Sequence, residues 1–209
     1  METFDLQFFA TRVNVWLFDQ VKNAGELRKA LIHASQTNDR AEQCRLDWAF
    51  IDASMITSPQ HLITAVSQAL VTHSHGNLKT KTLHSEILWT LSPGSNIMDA
   101  IKKFGLGPST SALLLVKLQP MQASDLTSQE ELDKAAQTLV DGRLIELNQL
   151  GKSMINWKEL RRLYKLNEDP AIKELDAKSK SGANDAAVEL HAMIDQIVTA
   201  TVALKSVAA

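Results

Sequence analysis

Residues 112–118 read Ala-Leu-Leu-Leu-Val-Lys-Leu. This near-continuous Leu and Val run decides the fold, because a strand with so little polar interruption belongs in the middle of a sheet with both faces covered. Working outward on the N-terminal side, Ser85 to Leu91 reads as another strand. The connection from His73 to Lys81 is polar and basic. Ser58-Pro59 is an N-cap followed by proline at the first helical position, and it opens a helix to about Val71 with Leu62, Ala65, Val66, Ala69 and Leu70 on one face. Trp48 to Ile51 is a short strand, Gln36 to Arg45 a polar loop, Ala24 to Ala34 a helix, and Val13 to Phe18 a strand. On the C-terminal side, Ser128 to Val140 is amphipathic and Leu144 to Leu147 is a short strand. Trp157 to Leu166 is a helix, Asn167 to Asn184 a charged and mobile excursion, and Asp185 to Ser206 one long helix. Strands and helices alternate irregularly and no segment repeats. The expectation is a single α+β domain over 1–209, with a mixed central sheet, flanking helices, a long C-terminal helix, and flexible loops at 36–45 and 167–184.

Between the two apolar runs lies Leu91-Ser-Pro-Gly-Ser-Asn-Ile97, continuing through Lys103-Phe-Gly105. Pro93 and Gly94 break what precedes. Ser95 or Asn96 caps a new helix, Asp99 complements its dipole, and Ile97, Ala100, Ile101 and Phe104 form an apolar face to be buried. Lys102 and Lys103 occupy the last turn, and Gly105 is placed to end the helix in the left-handed conformation.

With 209 residues, 44% hydrophobic and 22% charged, the composition is that of an ordinary globular domain. The single Cys44 excludes an intramolecular disulfide and a cysteine-only zinc site, which suits a reducing compartment. No apolar run approaches membrane-spanning length, and Met1 to Phe9 lacks the basic start of a signal peptide. A net charge of −2 excludes coating nucleic acid through the overall field. The charge is uneven, however. Lys152, Lys158, Arg161, Arg162 and Lys165 stand against Glu159 alone, whereas acidic residues outnumber basic ones from Glu168 onward. Each charge taken singly fits a solvated face, while the asymmetry fits two surfaces with different partners.

No catalytic pattern emerges. The 91–96 turn lacks the spacing of a P-loop or of GxGxxG, and no nucleophile elbow or Ser-His-Asp order is present. His73 and His75 lack a third metal ligand, while His33, His61, His84 and His191 are scattered and Cys44 has no activating neighbour. The chain therefore reads as a binding or scaffold protein without metal or cofactor. Its last helix is apolar on more than one stripe. Either it is sunk in the core, or a second face, with Leu190, Met193, Ile194, Ile197 and Val198, takes another protein.

Several separated strings resemble one family: Leu17-Phe-Asp-Gln-Val-Lys-Asn-Ala24, Ala49-Phe-Ile-Asp52, Leu83-His-Ser-Glu86, the stretch from Leu91 through Gly105, and Tyr164-Lys-Leu166. In their order and spacing they are similar to a fungal form of the small kinase-binding subunit of the KEOPS (EKC) complex. Gln36 to Arg45 and Asn167 to Asn184 are longer than in the compact pattern. The resemblance implies an α+β domain without a catalytic site, with no cofactor and no membrane, located in nucleus and cytoplasm. Its direct partner would be the PRPK-type atypical kinase subunit, with other KEOPS subunits reached indirectly, in an assembly that installs threonylcarbamoyl-adenosine on tRNA and is connected with telomeres. It further implies contact with the tRNA 3′ CCA end, for which Asn96, Ile97 and a basic rim of Lys79, Lys81, Lys102 and Lys103 are candidates. Arg161 and Arg162 are added from the charge asymmetry. The alternatives are a scaffold that binds protein only and, from another class, a small-molecule enzyme using the histidines.

Overall fold

The computed structural model describes residues 1–122, 127–180 and 184–208. The run at 112–118 becomes β4 (Leu113–Pro120), an interior strand between β2 (Thr11–Asp19) and β3 (Ala49–Asp52). It is antiparallel to both, with Val116 opposite Val15 on one side and Ala49 on the other. On its far side β2 pairs with β1 (Glu2–Leu6) and, over Leu17 to Asp19, with β5 (Arg143–Ile145). All pairings among the described residues are antiparallel. The α+β class expected from sequence holds, and the sheet is antiparallel rather than mixed.

Strand alternation sends Val13, Val15, Leu17, Ile51, Leu114 and Val116 to one face and Trp16, Phe18, Phe50, Leu113 and Leu115 to the other. Both sets are buried, because helices cover both faces. On the second face lie α1 (Ala24–Gln36) and α6 (Gln129–Leu139), the latter opened by a reciprocal Ser128–Glu131 capping box. The core on the first face is shared by α3 (Pro59–Ser74), α4 (Leu83–Leu91), α5 (Ile97–Phe104), α7 (Trp157–Leu163) and α9 (Asn184–Ala208), with α9 packed on α3. Trp16 and Trp48 meet edge to face at 5.3 Å on the α6 side, and the Trp16 indole donates to Asp133 at 2.6 Å.

Four local expectations are corrected. Residues 85–91 belong to helix α4, whose Thr82–Ser85 capping box fixes its start. Every residue from Glu86 to Leu91 is buried, so no polar face marks the helical period. Within the expected loop at 36–45, Asp39 accepts the amides of Ala41 and Glu42 and starts α2 (Arg40–Arg45). The expected excursion at 167–184 contains α8 (Pro170–Lys180), which packs on α9 and buries Ile172 and Leu175; residues 181–183 lie outside the described residues. Gly105 is extended (φ −83°, ψ 176°), not left-handed. Glycine is needed there for close approach, since a Cβ would lie 2.5 Å from the Ile101 carbonyl oxygen, and Gly105 bridges to the sheet at Ile51.

The segment Ala186–Lys205 of α9 is, by length and composition, apolar enough to cross a membrane, contrary to the expectation that no run approaches that length. Leu190, Ile194, Val198 and Val202 on this helix are buried in the protein's own core, which accounts for part of the apolarity; Val188 and Leu204 remain exposed.

Candidate functional site

The turn between α4 and α5 is fixed from below and leaves its tip exposed. Glu86 of α4 is fully buried, and its carboxylate accepts the amides of Lys79 (3.1 Å) and Thr80 (2.9 Å) and the Thr80 hydroxyl (2.7 Å). At the other end of α4, the ammonium of Lys205 from α9 donates to the carbonyls of Trp89, Ser92 (2.5 Å) and Gly94 (2.9 Å), and it sits 3.8 Å from the Trp89 ring centroid. It thereby supplies the cation that orphan carbonyls at a helix C-terminus favour. The Trp89 indole donates to Ser95 O at 3.1 Å, and the buried Tyr164 hydroxyl donates to Leu91 O.

On this base the Asn96 side chain accepts the amides of Met98 (2.9 Å) and Asp99 (3.2 Å), so Asn96 and not Ser95 caps α5. Ala100 and Phe104 are buried as expected. Ile97 is half-buried and Ile101 is 39% exposed, so the apolar face is wider than the core needs. Met98, one turn before Lys102, is 73% exposed. The result is a rigid turn presenting Asn96, Ile97, Met98 and Ile101, with Lys102 exposed beside them. Met98 was missed by sequence reasoning. The signal was its position three residues before Ile101 and four before Lys102, on the side of α5 away from Ala100 and Phe104.

The expected basic residues divide. Lys79 and Lys81 are exposed on the connection that Glu86 ties to the start of α4. Arg161 and Arg162 do not form a free cationic face: Arg161 makes a two-pronged pair with Asp176 of α8 (2.9 and 2.7 Å), and Arg162 pairs with Glu159 (2.9 and 2.7 Å). Lys103 also reaches Glu159, at 2.5 Å. Arg162 first and Lys103 second hold the Glu159 carboxyl down at about 2, well below its ordinary value. Sequence reading missed these partners because Asp176 lies on a helix read as mobile and Lys103 lies in a distant segment.

Of the candidate protein-binding residues, Leu190, Ile194 and Val198 are buried and cannot meet a partner without unfolding α9, while Met193 and Ile197 are half-buried. Val188 and Leu204 project outward, 71% and 61% exposed. His191, half-buried, stacks flat on Trp157 at 4.0 Å, and burial lowers its pKa. Among the described residues no three His, Cys, Asp or Glu side chains are grouped closely enough to hold a metal.

A three-layer α+β domain with a braced, partly apolar turn on one helix pair and apolar side chains outward on another defines a protein built to present surfaces. The chain belongs to the family of the kinase-binding protein CGI-121, which it matches over residues 18–206. It is 30% identical to the EKC/KEOPS complex subunit CGI121 of Phaeosphaeria nodorum, over 99% of both chains. To the subunit cgi121 of Aspergillus fumigatus it is 33% identical, over 75% of this chain and 78% of that one. To the EKC/KEOPS complex subunit TPRKB of Danio rerio it is 32% identical, over 84% of this chain and 92% of that one.

Proposed function

We propose that this chain is a non-catalytic subunit of a KEOPS (EKC) complex that binds the PRPK-type atypical kinase directly and helps recruit tRNA by its 3′ CCA end for threonylcarbamoyl-adenosine modification. Family membership and the relatives named as subunits of that complex support the assembly. The observation that carries the RNA contact is the braced turn: Lys205, Trp89 and Tyr164 hold its backbone while Asn96, Ile97, Met98 and Ile101 face solvent. A single-stranded tail is held by base stacking and a few polar contacts, which such a rigid apolar platform with Lys102 at its edge suits. The kinase contact is assigned to α9, at the exposed Val188 and Leu204 and the half-buried Met193 and Ile197. Action in nucleus and cytoplasm, and a connection with telomeres, belong to the same proposal.

The test is binding of one tRNA with and without its terminal CCA. Affinity falls sharply on removing CCA, stays level on truncating the anticodon arm, and depends weakly on salt because few phosphates are neutralised. Equal affinity with and without CCA overturns the RNA contact. It leaves the second reading, a kinase-binding scaffold alone, which the carboxylate partners of Lys103, Arg161 and Arg162 favour.

A further inference from the structure

Two cations from different helices share one carboxylate. Glu159 Oε1 accepts from Lys103 Nζ on α5 at 2.5 Å and from an Arg162 terminal nitrogen at 2.7 Å, while Oε2 accepts Arg162 Nε at 2.9 Å. Two positive charges against one negative leave the cluster cationic. Its geometry, a guanidinium fork plus an ammonium around a pair of oxygens, is the one that phosphate oxygens take. The Arg162 side chain is largely exposed, so the cluster opens to solvent. The Glu159 carboxyl stays ionised throughout the physiological range, so acid does not clear the seat and only a competing anion does.

We propose that Lys103 and Arg162 form a displaceable phosphate site in which Glu159 occupies the seat in the free chain and a phosphate group of a docked RNA tail takes its place. The identity of the anion rests on the RNA-binding reading above; the seat rests on the cluster alone. Glu159 is tethered, so its effective concentration is high and a free phosphate must compete against it in solution. A phosphate anchored nearby through the α5 platform competes on equal terms. Glu159 thereby rejects the cell's pool of small phosphates while admitting a tethered one, a specificity built from repulsion.

The test uses Glu159→Gln in the full chain, with folding checked by circular dichroism, and two probes: a tRNA bearing CCA, and inorganic pyrophosphate. The variant binds tRNA roughly fivefold more tightly at low salt, its salt slope steepens by about one, and adding Lys103→Met abolishes both gains. If wild type binds tRNA and the folded variant binds it equally or less well, Glu159 is only a strut between α5 and α7 and the proposal fails while the RNA reading stands. If wild type does not bind tRNA, the RNA reading fails and pyrophosphate decides. Saturable binding gained with Glu159→Gln and lost again with Lys103→Met upholds the site, and no gain overturns it.

Discussion

His61 is wholly buried at the start of α3. Its Nδ1 accepts the Thr57 amide at 3.3 Å, the Thr57 hydroxyl donates to Asp195 at 2.5 Å, and Nε2 has no hydrogen-bond partner among the described residues. Burial pushes its pKa down to about 3 from the ordinary 6.5. The unfolded chain therefore takes up the proton first, and the stability that depends on neutral His61 is complete above pH 6.5 and drains away as pH falls toward 3. Denaturant titrations should show wild type losing stability faster than His61→Leu below pH 6.5, by at most about 1.4 kcal/mol per pH unit; parallel pH profiles would contradict this. Glu86→Ala strands the Lys79 and Thr80 amides and the Thr80 hydroxyl, and should cost about 2–4 kcal/mol in urea unfolding. The sequence was most legible where a side chain acts on its own backbone: Ser58 and Asn96 were readable as caps. Glu86 and Lys205 were not, because their partners are backbone groups brought in by folding.

Among the helices, legibility followed amphipathicity. α3 and α6 show one apolar stripe and one wet face, and both were read from sequence, whereas α4 is buried all round and was taken for a strand. α8 is mostly polar and was taken for a mobile segment, yet Ile172 on it is fully buried. Ile172→Ala should therefore cost about 2–5 kcal/mol, where a mobile segment would lose almost nothing; urea midpoints distinguish the two. α9 is the case in which periodicity left two answers, and burial separates them residue by residue. Ile194→Glu places an unpaired charge in the core and should abolish cooperative folding. Met193→Glu, half-exposed one residue away, should stay folded by circular dichroism and weaken kinase binding at least tenfold. Normal kinase binding by the folded Met193→Glu and Ile197→Glu variants would move the interface off this helix.

For the whole molecule, the run at 112–118 was enough to place a covered interior strand, and the irregular alternation of strands and helices pointed to the α+β class. Strand direction did not, because parallel and antiparallel pairing of a doubly covered strand share the same apolar pattern; the antiparallel order depends on long connections whose paths the sequence does not mark. The candidate surfaces were legible as positions and not as states. Asn96 and Ile97 stand at the surface of a braced turn, while three of the five α9 residues are core and the arginines of α7 are already paired. The proposed function has one domain carry two partners, the kinase on α9 and the tRNA tail on α5. Size-exclusion chromatography of the chain mixed with the PRPK-type kinase subunit and CCA-bearing tRNA tests this most directly. One early peak containing all three is expected, and it loses the kinase but keeps the tRNA when Met193→Glu is used. A kinase that displaces the tRNA, or a chain that elutes apart from both, contradicts it.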